Sequence, residues 1–368
     1  METQPSQDLL ALRNKIDNLD IQIQQLITER AQCAVDVAHC KKSTDKDVVF
    51  YRPEREVEVL RRVKERQKGP LSAEEMARIF REIMSSCLAL EEPMKIAFLG
   101  PEGTFTQAAA LKHFGHAVTG VSLATIDEVF REVEAGAAHY GVVPVENSTE
   151  GMVNHTLDCF MNSSLFICGE VELRIHHHLL VSEVSRIDSI GRIYSHQQSL
   201  AQCRQWLDRH WPKAERIAVN SNAEAAKRIR GEWHSAAIAG DMAAELYDLK
   251  KLASNIEDNP DNTTRFLIVG KRPVPATGED KTSIIVLMSN APGALFRLLE
   301  PFYQKGISLT RIETRPGGSM GKWTYVFFID FEGHQDDPMI KEALAHAAKV
   351  ALEVRPLGSY PKSVLGVG

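Results

Sequence analysis

The stretch "QDLLALRNKIDNLDIQIQQLITER", residues 7–30, places apolar side chains three and four residues apart, as on one face of a helix. The same spacing continues to about residue 42, and neither proline nor glycine interrupts it. A single helix of this length exceeds the usual range in globular proteins and needs a partner to cover its apolar face. The sequence therefore predicts a long N-terminal helix that packs against another helix.

Two shorter helices are predicted to follow. Pro53 can open the first of them, which runs to Gln67, because a proline in the first turn loses no helical hydrogen bond. The breaker "KGPLS" ends it, and Ser72 is then a suitable N-cap, with Glu75 at the capping-box position. Residues 1–92 are therefore predicted to form an all-α domain of three helices.

The pattern changes at Pro93, where short apolar runs begin to alternate with helical segments. These runs are "KIAFLG", "YGVVPVEN", "LFICGEVEL", "HHLLVS", "RIYSH", "RIAV", "AAIAG" and "RFLIVG". Such alternation is typical of an α/β domain with a mainly parallel sheet. The segment 94–271 is longer than a single lobe usually is, so we expect two lobes with a cleft between them.

The segment "KRPVPATGEDK", residues 271–281, is rich in proline, glycine and charge and is predicted to be a linker. Beyond it the pattern predicts strand, helix, strand, strand, helix and strand. This order is that of a ferredoxin-like α+β module, which we expect over residues 281–368. The fold of such a module does not by itself indicate a function.

Composition excludes several classes of protein. The chain has 368 residues, a net charge of -6 and no basic block, which argues against a nucleic-acid partner. The first residues lack the pattern of a signal peptide, and no apolar run is long enough for a membrane span. Six cysteines are scattered without CxxC pairs, as is typical of a reducing compartment. We therefore expect a cytoplasmic protein.

Three cations on the long helix form a candidate anion site. Arg30 and Lys41 are eleven residues apart, close to three turns, so they share a face. Arg13 lies about 25 Å from Arg30 along the helix axis at 1.5 Å per residue, too far to reach the same small ligand within one chain. An antiparallel partner helix could bring it there. The alternative is that all three are solvated cations on an amphipathic helix.

The pattern "LLALRNKIDNLDIQIQQLITER", followed by Lys41 and "RPEREVEVLRRV", resembles the all-helical chorismate mutases over residues 7–92. The resemblance implies an intertwined dimer whose sites take residues from both chains. It also implies that Arg13 from the partner chain, Arg30 and Lys41 hold the two carboxylates and the ether oxygen of the substrate.

The same resemblance assigns residues of the second and third helices to the substrate site. Arg52, Arg55 and Glu56 belong to the second-helix motif, and Glu56 would lie near the substrate hydroxyl. Cys87 and Glu91 occupy third-helix positions at which many members have serine and glutamine. The rearrangement is pericyclic and needs no nucleophile, so holding a dianion in its compact conformer and stabilising oxygen charge are what such a site supplies.

The stretch "DNPDNTTRFLIVG", residues 258–270, places two threonines and an arginine between turn-forming residues and an apolar strand. Such a loop is usually structural, because Asx and Thr side chains satisfy turns. The sequence also contains "AFLGPEGTFTQAAA", a glycine-rich turn that lacks the phosphate-loop and dinucleotide patterns. With "GVVPVENSTEG", "YSHQQSLAQC" and "NTTRF", that turn resembles the prephenate dehydratases over residues 95–270.

This second resemblance implies two lobes like those of periplasmic binding proteins, with the site in the cleft. Thr264 matches the catalytic threonine, and Arg265 would meet a substrate carboxylate. The polar residues Asn147, Ser195 and Gln202 would line the cleft. The reaction expels a hydroxyl and CO2 together, so a threonine hydroxyl that donates a hydrogen bond to the departing oxygen is sufficient assistance.

The segment "RIHHHLLVS" raises a metal hypothesis. On a strand, His176 and His178 could share a face, whereas His177 points the other way. Neither carboxylate nor cysteine stands nearby at ligand spacing, so a structural role is favoured and neither a metal nor a cofactor is expected.

The motifs "PGALFRLL" and "RIETRPGG" resemble the two ligand motifs of the ACT regulatory domain. The resemblance implies that L-phenylalanine binds between the ACT domains of two chains as a feedback inhibitor. The residues so assigned are Gly293, Ala294, Leu295, Glu313, Thr314, Arg315 and Pro316. Thr314 stands where family members carry serine, and Gly293 would let the backbone approach the ligand.

Together the three resemblances imply a bifunctional chorismate mutase and prephenate dehydratase, at least dimeric, inhibited by phenylalanine. Two alternatives remain open from the sequence: a non-catalytic amino-acid sensor whose cleft binds without reacting, and a dehydratase acting on the aminated relative, arogenate.

Overall fold

The computed structural model describes residues 7–44, 50–316 and 324–366. Its first part consists of three helices, α1 (Gln7–Thr44), α2 (Pro53–Arg66) and α3 (Ala73–Glu91). The predicted helices are confirmed. The capping box is also confirmed, because the Ser72 hydroxyl accepts from the Glu75 backbone N–H and the Glu75 carboxylate accepts from the Ser72 N–H.

The long helix α1 packs against α3 near its C-terminal end, but most of its length is bare within one chain. Its apolar side chains are largely exposed, among them Leu12 at 59%, Ile16 at 55% and Leu26 at 64%. Burying such a stripe is what stabilises an amphipathic helix, so α1 has the surface of a helix made for a partner.

The middle of the chain forms two lobes, each built on its own sheet. The first lobe contains β1 (Lys95–Leu99), α4 (Phe105–Phe114), β2 (Thr119–Leu123), α5 (Ile126–Ala135), β3 (Tyr140–Asn147), β4 (Gly151–Met152), α6 (Asn154–Asn162), β5 (Phe166–Arg174) and, later in the chain, β11 (Thr263–Gly270). The second contains β6 (His178–Val181), β7 (Arg192–His196), α7 (Gln197–Gln202), α8 (Arg204–His210), β8 (Glu215–Val219), α9 (Asn222–Arg228), β9 (Ser235–Ala239), α10 (Asp241–Leu246) and β10 (Lys250–Ala253).

The expectation of a mainly parallel sheet was wrong. The strand orders are β2-β1-β3-β11-β5, with β4 beside β3, and β10-β6-β9-β7-β8. In the first sheet β1 is parallel to both of its neighbours, and β11 is antiparallel to both of its neighbours. In the second sheet β7 is parallel to both of its neighbours, and β6 is antiparallel to both of its neighbours. The reason is that the chain enters the second lobe from β5 and returns through β11, so β11 runs against the strands that it joins.

The third part is the predicted βαββαβ unit. Its elements are β12 (Asp280–Ser289), α11 (Ala294–Gln304), β13 (Leu309–Pro316), β14 (Thr324–Glu332), α12 (Pro338–Val350) and β15 (Glu353–Pro361). The antiparallel sheet has the order β13-β14-β12-β15, which confirms the ferredoxin-like arrangement.

The sheet of the third part is covered on both faces. Side chains such as Val286 and Ile329 pack under α11 and α12. Side chains of the opposite face, among them Val326, Phe328 and Tyr360, join the apolar core of the first lobe. No helix of the described residues is long and apolar enough to cross a membrane.

Candidate active sites

A cavity of about 450 Å³ lies between the C-terminal half of α1 and helices α2 and α3. Its walls combine charged and apolar side chains, as in a site that holds a small polar ligand. It brings together seven of the residues assigned to the mutase site: Arg30, Lys41, Arg52, Arg55, Glu56, Cys87 and Glu91. Arg13 is not among the described residues that line it and is exposed farther along α1.

Glu91 faces the cations of this cavity. Its Oε2 atom lies 3.9 Å from Lys41 Nζ and has no hydrogen-bond partner among the described residues. Burial raises the pKa of the Glu91 carboxyl, and this effect outweighs the opposing influence of Lys41 and Arg30. The cavity therefore holds an acid whose protonated form is favoured beyond the usual range of a glutamate and whose oxygen is free to bind a ligand.

Glu56 is held by a residue that the sequence analysis did not single out. Arg81 on α3 is buried and forms an ion pair with Glu56 across the domain. Burial raises the pKa of Glu56, while Arg81 and Tyr51 oppose that rise. The pairing orients the Glu56 carboxylate at the cavity wall. Helical spacing alone does not reveal the role of Arg81, because that role depends on the packing of α3 against α2, which carries Glu56.

The second candidate site lies where the chain passes between the two lobes. The crossings are residues 175–177 and 254–262, and Thr264 stands at the start of β11 directly beside them. Asn147 on β3 pairs with Thr264 in the sheet register, and its Nδ2 atom donates to Thr264 Oγ1 at 2.7 Å. The sheet thus places the predicted catalytic threonine against one of the predicted cleft residues.

A polar network continues from this pair into the second lobe. Asn147 Nδ2 also donates to Asn262 Oδ1 at 2.9 Å, and Asn262 Nδ2 donates to Gln202 Oε1 at 3.1 Å. The same oxygen lies 2.9 Å from His177 Nε2, and burial lowers the pKa of this histidine. A neutral His177 can donate from Nε2. Buried Asn262 and His177 were missed as members of the site, although Asn262 stands inside the "NTTRF" motif.

Two predicted cleft residues lie elsewhere, and both expectations are corrected. Ser195 is fully buried inside the second lobe, where its Oγ atom lies 2.8 Å from both Asn222 Oδ1 and the Ile238 carbonyl oxygen. It therefore fastens β7 to β9 and the start of α9 instead of lining a cleft.

Arg265 is directed away from Thr264 because successive side chains of a strand point to opposite faces. Its guanidinium binds Glu170 at 2.9 Å, Asp330 at 2.8 Å and the Tyr360 hydroxyl at 2.9 Å. Two of these partners belong to the third domain. Arg265 is therefore occupied as a joint between domains and is not available to a carboxylate in the cleft.

The consecutive histidines have separate partners. His176 Nδ1 lies 2.7 Å from Glu257, and His178 Nε2 lies 3.1 Å from Asp241, whereas His177 belongs to the network above. A different group, on α5 and α6, combines His155, Cys159 and Asp127 with ligand atoms within 4.8 Å of one another. Asp127 there accepts hydrogen bonds from both partners, which links the two helices.

The effector motifs of the third domain lie at the start of α11 and on the edge strand β13. Gly293 has φ +72°, a left-handed conformation that favours glycine, and α11 begins directly after it. On β13, Thr314 is exposed, whereas Arg315 turns to the first lobe and binds Asp158 on α6 at 2.6 Å and 2.7 Å. The two glycines of "RIETRPGG", at 317 and 318, lie outside the described residues.

Comparison with known proteins agrees with this three-part arrangement. Residues 12–92 match the family model of chorismate mutase type II, residues 96–274 that of prephenate dehydratase and residues 282–345 that of the ACT domain. The fold and sites thus define a multidomain enzyme of the mutase and dehydratase classes with a regulatory module.

The relatives narrow this class. The chain is 66% identical to the bifunctional chorismate mutase/prephenate dehydratase of Pseudomonas aeruginosa, over 97% of this chain and 98% of that protein. It is 50% identical to the corresponding enzyme of Neisseria gonorrhoeae, again over 97% and 98%. The chain belongs to the family of bifunctional chorismate mutase/prephenate dehydratases.

A solved structure resembles the part of the chain beyond the three helices. It is the prephenate dehydratase of Arthrobacter aurescens in complex with L-Phe, with a TM-score of 0.68 and 36% identity over 74% of this chain and 92% of that one.

Proposed function

We propose that this protein rearranges chorismate to prephenate in the helical cavity and converts prephenate to phenylpyruvate at Thr264. The observation that carries the proposal is the cavity itself, where four cations, Arg30, Lys41, Arg52 and Arg55, and two carboxyls of raised pKa, Glu56 and Glu91, line the same space. Chorismate is a dianion that develops charge on its ether oxygen during the rearrangement, and fixed cations stabilise that charge without reorganising.

In the mutase reaction each group has a role that its position supports. Arg30 and Lys41 bind carboxylate and ether oxygen, and Glu91 in its protonated form donates a hydrogen bond to the ether oxygen. The Glu56 carboxylate, held by Arg81, accepts a hydrogen bond from the substrate hydroxyl. None of these groups attacks the substrate, so the site acts by orientation and electrostatics.

In the dehydratase reaction the Thr264 hydroxyl assists the departing hydroxide. Asn147 donates to Thr264 Oγ1, which occupies a lone pair of that oxygen and leaves its proton for another acceptor. The proton is then directed at the leaving oxygen of prephenate. Because the ring becomes aromatic as CO2 leaves, a hydrogen bond from a weak acid is sufficient. Because the Arg265 guanidinium already binds Asp330, we propose that another cation binds the substrate carboxylates.

We further propose a cytoplasmic homodimer that needs no cofactor and responds to L-phenylalanine. The exposed apolar stripe of α1 would pair with α1 of a second chain, and this pairing would carry Arg13 into the partner's cavity. The loop at Gly293 and the β13 edge of the third domain would hold phenylalanine between two chains, as the ACT resemblance implies.

The experiment is to incubate the purified protein with chorismate and to follow prephenate and phenylpyruvate, with and without phenylalanine. We expect both products in sequence and a slower second step with phenylalanine. A protein that binds prephenate without consuming it would be the amino-acid sensor. Faster turnover of arogenate than of prephenate would favour the arogenate dehydratase.

A further inference from the structure

The chain does not stop at the last strand of the third domain but runs on across the helical domain. Residues 362–366, here the C-terminal strap, leave β15 and lie against α2 and α3. Leu365 is 8% exposed and packs with the fully buried Leu60 and Ala77. A side chain of the regulatory domain therefore completes an apolar cluster of the mutase domain.

Polar contacts fix the strap on both sides of Leu365. Lys64 on α2 donates to the Val364 carbonyl at 3.0 Å, and the Gly366 N–H donates to Glu74 on α3 at 3.2 Å. Lys112 on α4 of the first lobe donates to the Gly366 carbonyl at 2.6 Å. The strap thus binds the helical domain and the first lobe through its backbone, which holds the Leu365 side chain in one place.

Met84 connects this cluster with the substrate cavity. It packs against the cluster that contains Leu365, and it also lines the mutase cavity together with Cys87 and Glu91 of the same helix. Methionine is unbranched and adapts to whatever space its neighbours leave. The position of Met84 in the cavity wall therefore depends on what fills the space behind it.

We propose that Leu365 is a positioning residue for the mutase cavity, acting through Met84 from the opposite side of the helical domain. It touches no substrate. Its side chain keeps the apolar cluster filled, and the filled cluster holds the wall against which chorismate must adopt its compact conformer. This inference rests on the proposed mutase function.

The test uses the full chain with three substitutions. Leu365→Ala opens the cluster, Leu365→Met refills it, and Leu352→Ala removes a leucine of the same domain that is 62% exposed. We expect Leu365→Ala to raise the mutase KM for chorismate about tenfold, a size reasonable for a displaced wall. The other two variants should keep the wild-type KM. Dehydratase activity with added prephenate should not change in any of them.

The KM is the decisive quantity because partial unfolding removes active molecules and lowers kcat, whereas it leaves KM unchanged. Lys64→Met serves as a second variant, since it releases the Val364 carbonyl and keeps the apolar cluster. We expect a smaller rise of KM there. If Leu365→Ala loses both activities, the mutase KM of Lys64→Met tests the inference in its place.

A wild-type KM in Leu365→Ala, or in Lys64→Met where Leu365→Ala fails to fold, overturns the inference. An equal rise in Leu352→Ala does so as well. If the unsubstituted protein has no mutase activity, the proposed function fails instead, so the two failures can be told apart.

Discussion

Two neighbouring residues of β11 serve different domains because their side chains point to opposite faces of one strand. Thr264 contacts Asn147 at the crossing between the lobes, and Arg265 contacts the third domain. The hydroxyl that we propose to assist catalysis is therefore placed by the same strand that anchors the sheet of the third domain. Substitutions at the two positions should have different consequences.

Thr264→Ala should lower dehydratase kcat on the order of 100-fold or more, as the loss of one oriented donor commonly does. Thr264→Ser is the matched control, because it keeps a hydroxyl that Asn147 can bind, and it should retain most of the rate. Mutase activity, measured with chorismate in the same preparations, should stay within twofold of wild type, roughly the scatter expected for distant sites. A fast Thr264→Ala enzyme would remove this hydroxyl from the mechanism.

Glu91 should give the mutase a dependence on pH. Burial raises the pKa of its carboxyl, and the protonated form is the donor that the ether oxygen needs. Mutase kcat/KM should therefore be highest below the pKa of Glu91 and fall as pH rises through it. In Glu91→Gln the amide donates at every pH, so the profile should be flat over the same range. Identical profiles for both proteins would show that Glu91 does not contact the reacting oxygen.

At the scale of elements, α1 supplies cations that a single chain does not bring together. Arg30 and Lys41 line the cavity, whereas Arg13 is exposed on a bare part of the helix. If a second α1 covers that part, Arg13→Ala and Arg30→Ala should each abolish mutase activity. Mixed dimers of the two variants should recover part of it, because one of their two composite sites has both arginines. The measurement is mutase activity of isolated heterodimers, and no recovery there would mean that each site comes from one chain.

Local elements were predictable from the sequence because their signals are local. The capping box of Ser72 and Glu75 and the proline at the start of α2 determine helix ends within a few residues. The pairing of β11 was not predictable, because its neighbours are set by a return of the chain from the second lobe.

Site residues whose positions follow from local spacing were predictable, whereas residues whose partners lie far away in the chain were not. Arg30 and Lys41 follow helical spacing, and both line the cavity. The partner of Arg265, Asp330, lies 65 residues away on another domain, so local sequence could not show that this guanidinium is occupied.

At the scale of the whole molecule, a buried group of charges joins the first lobe to the regulatory domain. Asp330 is fully buried between Arg265 and Arg311, which lie 2.8 Å and 2.9 Å away. Lys281 and Glu170 extend the group with an ion pair of 2.7 Å. A buried pair of this kind contributes less to stability than it costs to break, because removal of one partner leaves the other charge uncompensated.

Asp330→Asn should therefore lower the free energy of unfolding by about 3–5 kcal/mol. Glu332→Gln is the control on the same strand, since its partner Lys362 is exposed and surface pairs contribute at most about 1 kcal/mol. Thermal unfolding of both variants is the measurement. If both variants lose the same small amount of unfolding free energy, Asp330 does not stabilise the contact between the first lobe and the third domain.

The contribution of Asp330 should also depend on pH in a defined direction. Burial raises the pKa of its carboxyl, but Arg311 and Arg265 outweigh that effect and lower it to about 2. Because the folded pKa lies below the unfolded value of about 3.9, the stabilisation is complete above pH 3.9 and is lost as pH falls toward 2. The stability difference between wild type and Asp330→Asn, followed by denaturant unfolding, should accordingly shrink over that interval.

The regulatory domain cannot be removed without disturbing the first lobe, and this decides how its role is to be tested. Deleting residues 281–368 would take Asp330 and Tyr360 from Arg265 and uncover apolar side chains of the lobe. We expect that variant to lose stability, so its insensitivity to phenylalanine would carry little information. A substitution inside the loop 290–293, which joins β12 to α11 and belongs to the proposed phenylalanine site, is the sharper change.

Gly293→Val strains the left-handed residue at the end of the loop 290–293, directly before α11, and the new side chain would meet the end of Arg297. We expect the phenylalanine concentration for half-inhibition of the dehydratase to rise on the order of tenfold, a typical allosteric coupling, with an unchanged rate in its absence. Gly306→Val is the control, because that glycine is equally left-handed, with φ +64°, and lies outside the loop. Inhibition as strong as in wild type would place the effector elsewhere. Linkage adds a reciprocal test, since prephenate should weaken the binding of phenylalanine by the factor with which phenylalanine weakens that of prephenate.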